Sequence, residues 1–141
     1  METIEEIYNA TIDYIRTFGI DKYIPTLFLF KGDEIKGIIL PLTKQAFYRV
    51  VPEIIENSKP DAIMLLFEAR ITAIDGVRDG LFGIYVDKEK ELVRMTFFRE
   101  LETGKVEVTN DTGFITINEN VTYTGLLKDL IETIKPVLRK H

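Results

Sequence analysis

Apolar residues recur at three- and four-residue spacing from Ile4 through Ile7, Tyr8, Thr11, Ile12 and Ile15 to Phe18, the single stripe that a helix buries against a core. Thr3-Ile4-Glu5-Glu6 has the spacing of a capping box, and Gly19 can take the left-handed conformation that ends a helix. The pattern predicts a helix over residues 4–18. Two β-rich runs follow, 24–31 and 34–40, joined by Gly32-Asp33 as a tight hairpin. Leu27-Phe28-Leu29-Phe30 is apolar on both parities, so its strand is expected to be central and covered on both faces. Thr43 can cap a second helix with the stripe Phe47, Val50, Val51, Ile54 and Ile55. Pro52 inside it predicts a kink or two abutting short helices.

Residues 61–75 are the most informative. Odd positions Ile63, Leu65, Phe67, Ala69, Ile71 and Ala73 are all apolar, while even positions change from Ala62, Met64 and Leu66 to Glu68, Arg70 and Thr72. This predicts one long strand with one face buried throughout and the other covered by a helix over its first half only. Gly76-Val77-Arg78-Asp79-Gly80 reads as a loop. Residues 81–86, 92–99, 106–109 and 114–117 read as four more strands with short polar connections, an antiparallel meander. Leu126, Leu127, Leu130, Ile131, Ile134, Val137 and Leu138 draw a last helical stripe, which Pro136 should bend or fray. The order α-β-β-α-β-β-β-β-β-α predicts a single α+β domain over residues 1–141. Three helices then pack on an antiparallel sheet of about five to seven strands, the arrangement that buries every stripe.

Composition narrows the chemistry more than the fold. The 141 residues are 45% hydrophobic and 29% charged, the balance of an ordinary globular chain, and the net charge of −5 disfavours nucleic acid as a partner. The acidic, amphipathic start lacks the basic and apolar regions of a secretory signal, and the apolar runs are too short to cross a bilayer. A cytoplasmic location with no membrane partner is therefore expected. Gln45 is the sole glutamine, isoleucine is abundant and Glu with Lys dominates the charges, a balance found in proteins of hot environments. There is no cysteine, Ser58 is the only serine and His141 the only histidine, so neither a nucleophile–histidine pair nor a histidine- or thiolate-based metal site can be assembled. Dinucleotide and phosphate-loop motifs are missing, and no cofactor is expected. Asp75 and Asp79 stand four apart but lack the dense oxygen ligands of a calcium loop, so they read as solvated turn acids.

One polar constellation remains. If strands 81–86 and 92–99 lie beside the long strand, Glu68, Arg70, Arg94 and Thr96 share a face beyond the covering helix. Two guanidinium groups and a carboxylate there could hold an anion or perform acid–base work, against the plainer reading of cross-strand ion pairs. Arg99, on the opposite parity, reads as a rim residue.

The stretch from Pro60-Asp61-Ala62 to Phe67-Glu68-Ala69, followed by a charged loop, a strand and a later arginine, resembles a group of small bacterial, archaeal and phage α+β proteins with no assigned activity. The element order is also similar to roadblock and profilin-like regulatory domains, with two extra strands here. Because the usual nucleophiles, metal ligands and phosphate loops are absent while apolar residues are plentiful, the sequence favours a non-catalytic binding or regulatory module acting through protein partners as a homo-oligomer. The sheet's two edges and the apolar end of the last helix at Val137 and Leu138 motivate self-association. The alternative is an enzyme with Glu68 as acid or base and Arg70 and Arg94 holding a small anionic substrate.

Overall fold

The alternation between residues 62 and 73 becomes the longest strand of the sheet. The computed structural model describes residues 2–73, 76–117 and 125–140. The chain forms α1 (Glu2–Phe18), β1 (Thr26–Lys31), β2 (Glu34–Ile39), α2 (Lys44–Ser58), β3 (Ala62–Ala73), β4 (Gly76–Val86), β5 (Glu91–Glu100), β6 (Val106–Asp111), β7 (Ile115–Thr116) and α3 (Leu126–Arg139). The seven strands make one antiparallel sheet in the order β2-β1-β3-β4-β5-β6, with β7 on the same side of β5 as β6. The α+β class and the order of elements agree with the sequence pattern.

Strand periodicity divides the apolar residues between two cores. Leu27, Leu29, Ile63, Leu65, Phe67, Ile84 and Val93 face α2 and α3, whose Phe47, Val51, Ile55, Leu130 and Ile134 complete that layer. Met64, Leu66, Leu81, Leu92 and Phe98 lie under α1, against Ile4, Tyr8, Ile12 and Ile15. The even face of β3 opens as expected, from fully buried Met64 and Leu66 through half-buried Glu68 to exposed Arg70. The burial expected of Ile71 lies outside the described residues, as do Asp75 and His141.

Four local expectations change. The first helix starts at Glu2, which puts Thr3 inside its first turn and not at the cap. Thr43 does hold the cap position of α2, yet its side chain makes no cap bond; its carbonyl accepts from the Ala46 amide at 3.0 Å. Of the two outcomes expected at Pro52, two abutting helices do not form: α2 runs from Lys44 to Ser58 through the proline, with Phe47, Val51 and Ile55 fully buried on either side of it. Residues 76–80 are strand and not loop: β3 and β4 stay in register out to Ala73 opposite Gly76, and Arg70 is bonded to the directly opposite Asp79 at 3.0 Å.

The end of α3 is also firmer than its proline suggested. Lys88 Nζ donates to the Leu138 carbonyl at 2.5 Å, and Arg139 donates to the Asp87 carbonyl at 3.1 Å. Glu91 draws Lys135 (3.0 Å) and Arg139 (2.7 Å) onto the β4–β5 turn. Lys88 satisfies one last-turn carbonyl from outside the helix while Lys135 and Arg139 tether its side chains to the sheet, and α3 runs on through Pro136 to Arg139. Leu138 is buried in the chain's own core.

Candidate functional site

Register places the charged candidates on one face but separates their chemistry. Leu66, Gly83 and Arg94 lie in one row across β3, β4 and β5, and Glu68, Leu81 and Thr96 in the next. Glu68 and Arg94 are therefore two strand spacings apart, roughly 10 Å, and offset along the strands. Each has its own partner. Glu68 receives Lys44 Nζ at 3.1 Å, Arg70 holds Asp79, and Arg94 forks onto Asp111 with Nε to Oδ1 at 2.9 Å and Nη2 to Oδ2 at 2.6 Å. Arg70 and Asp79 border a polar groove of about 500 Å³ with Asp21, Lys22 and Glu100; Glu68 and Arg94 do not line it. Arg99 is an exposed rim residue paired with Glu107.

Arg94 and Thr96 lie beneath α1 and not beyond it. The Arg94 guanidinium carbon sits 4.2 Å from the Tyr8 ring centre and 5.6 Å from that of Phe114, so aromatic faces cover a charge that forks onto a carboxylate. The Tyr8 hydroxyl donates to the Leu81 carbonyl at 2.9 Å and shares a 2.8 Å bond with the buried Thr96 hydroxyl. Burial pushes the Tyr8 hydroxyl's pKa well above its ordinary value, despite Thr96 and Arg94. Burial would also raise the Asp111 carboxyl, but the Arg94 hydrogen bond, the Gly113 amide and the Arg94 charge outweigh it and hold that carboxyl low. Hydrogen bonding to Asp111 raises Arg94 further. The cluster thus has fixed charges and a neutral phenol, the chemistry of a tie between α1 and the sheet. Tyr8 and Asp111 were legible only as a stripe member and a turn residue.

An apolar surface lies elsewhere. The α1 helix covers β3 to β5 on its side of the sheet, packs partly against Phe28 and Phe30 of β1, and leaves the β2 margin open. Between them runs an apolar groove of about 460 Å³, with Ile7 and Tyr14 on its α1 wall, Tyr23 and Ile24 at its end, and Phe28 and Ile39 on its floor. Ile39 is 63% exposed, and Ile35, Ile24 and Tyr14 are each more than 40% exposed. Tyr14 packs edge-on to Tyr23 with ring centres 6.4 Å apart. Burial raises the Tyr23 hydroxyl to about 12 against the lowering effect of Thr26 and Thr11, so it too stays neutral near pH 7. Lys22 stands at the rim. The groove offers apolar area and a few hydroxyl groups. Comparison with known proteins returns no family model, no curated protein and no solved structure that matches this chain.

Among the described residues no helix is long and apolar enough to cross a membrane, and no three acidic or metal-binding side chains gather as metal ligands.

Proposed function

We propose that the protein is a non-catalytic binding module that acts through protein–protein contacts as a homo-oligomer, with a second copy of the chain covering the open β1–β2 margin. The observation that supports this reading is the apolar surface left beside α1. Beyond the partly buried Phe28, which packs against the α1 layer, Ile35 and Ile39 carry the same face of the sheet out to its edge, where among the described residues no helix covers them. A contiguous apolar strip at a sheet margin is stabilised by association, and a two-fold pair is the commonest way for identical chains to achieve it.

Sedimentation equilibrium at micromolar concentration tests the reading. The native chain should have a mass at least twice its own 16.3 kDa. Ile39→Lys should return the protein to the mass of one chain with its circular dichroism unchanged, because Ile39 is 63% exposed. A native protein that stays at one chain's mass throughout overturns the proposal.

A further inference from the structure

The two margins of the sheet are not equivalent. On the β6 side the register shifts between Phe97 and Phe98, and residues 112–114 interrupt the margin before β7. Such breaks discourage another strand from adding there. On the opposite side β2 is unbroken, matched residue for residue to β1 from Glu34 to Ile39. Its hydrogen-bonding direction follows from one bond beyond the strand. The Leu40 amide donates to the Pro25 carbonyl at 2.7 Å, and antiparallel pairs alternate between narrow and wide. Residues 34, 36 and 38 therefore turn their amides and carbonyls toward β1. Those of Ile35, Gly37 and Ile39 face outward, and the side chains of Ile35 and Ile39 stand on the apolar α1 side, in the rows of Phe30 and Thr26.

Resting on the reading that the module self-associates, we infer that two copies join β2 to β2 antiparallel about a two-fold axis through Gly37. This register makes narrow pairs of Ile35 with the partner's Ile39, of Gly37 with the partner's Gly37, and of Ile39 with the partner's Ile35. It makes about six main-chain hydrogen bonds, two for each narrow pair. The pairing also sets isoleucine against isoleucine on the face that is already apolar. Shifting the axis by one residue to Lys36 sets two lysines directly opposite each other and loses the Ile35–Ile39 pairs. Within the chain, the missing side chain of Gly37 leaves room for the Phe28 ring, whose Cε1 is 3.3 Å from where a Cβ would stand. The product is one continuous sheet with both α1 helices on the same side.

The absence of native cysteine makes the register directly testable. Ile35→Cys and Ile39→Cys proteins are prepared separately, mixed to allow exchange, and treated with a short thiol-specific crosslinker. The mixture should form crosslinked dimer several-fold faster than either protein alone, since like positions lie about four residues apart along the strands, beyond disulfide-like reach. In parallel, Ile35→Pro removes an outward amide that one chain does not use, so it should keep its fold by circular dichroism and sediment as a single chain. A native protein that is monomeric overturns both this inference and the reading beneath it. An oligomer whose mixture crosslinks no faster than the separate proteins, or that survives Ile35→Pro, overturns the β2 pairing alone and leaves association through the groove.

Discussion

Arg94 brings a full positive charge into a layer built from Ile, Leu and Phe, and two kinds of neighbour make that tolerable. Asp111 takes two hydrogen bonds in the planar fork that only a guanidinium supplies, and Tyr8 and Phe114 present their ring faces. Removing one partner of such a pair strands the other, which costs more than the pair contributes net. Arg94→Met should therefore destabilise the protein by about 3 kcal/mol in urea unfolding, and Arg94→Met with Asp111→Leu should recover most of that loss. A neutral Arg94→Met would show that the pair anchors nothing. Tyr8 reaches the cluster only because Gly83 lies beneath it: a Cβ there would stand 2.9 Å from Tyr8 Cε2 and 3.0 Å from Leu66 Cδ2. Gly83→Ala should thus cost about 1–3 kcal/mol despite adding a single methyl group, and a stability equal to the native protein's would show that the ring shifts freely.

At the scale of elements, the strand of residues 62–73 was legible because alternation of six apolar positions has no other economical reading. Ile63, Leu65 and Phe67 are fully buried between β4 and the α2–α3 layer. Ile63→Ala, Leu65→Ala and Phe67→Ala should each lose about 2–5 kcal/mol of unfolding free energy; losses below about 0.5 kcal/mol at all three would place the core on the wrong face. What local pattern misjudged were the breaks. Pro52 and Pro136 were read from their missing amides, whereas anchors far away in sequence keep both helices continuous. The candidate site shows the same limit. Parity correctly put Glu68, Arg70 and Arg94 on one face, but their true partners depend on register. Asp79 reaches Arg70 because pairing runs to the end of the β3–β4 hairpin, and Asp111 reaches Arg94 through a ladder that shifts at Phe97. Neither fact can be computed from periodicity. The open groove was illegible for a related reason, since no stripe reveals which half of a face its helix will cover.

Across the whole molecule, three carboxylates tie separate elements together and make stability depend on acid in a defined direction. Glu91 joins β5 to the end of α3, Asp87 organises the β4–β5 turn through the Glu89 and Lys90 amides, and Asp111 joins β6 to β5. Burial works to raise each carboxyl, but hydrogen bonds and neighbouring cations prevail and lower all three. A carboxyl whose pKa is lower in the folded chain than in the unfolded one binds its proton less readily when folded. Its stabilising contribution is therefore complete above the ordinary value and is lost as pH falls through the folded one. The ordinary values are 4.5 for Glu91 and 3.8 for Asp87 and Asp111, so the melting temperature should be flat near neutrality with respect to these groups and fall as pH drops below about 4.5. Glu91→Gln isolates the contribution that holds α3. This variant should melt below the native protein at pH 7, because Lys135 and Arg139 lose their shared anion, and the gap should narrow as pH falls toward about 3. Thermal melts of the two proteins at matched ionic strength across that range decide the matter. Curves that stay parallel down to the acid limit would mean that Glu91 titrates as it does in the unfolded chain and that α3 is held by its apolar stripe alone.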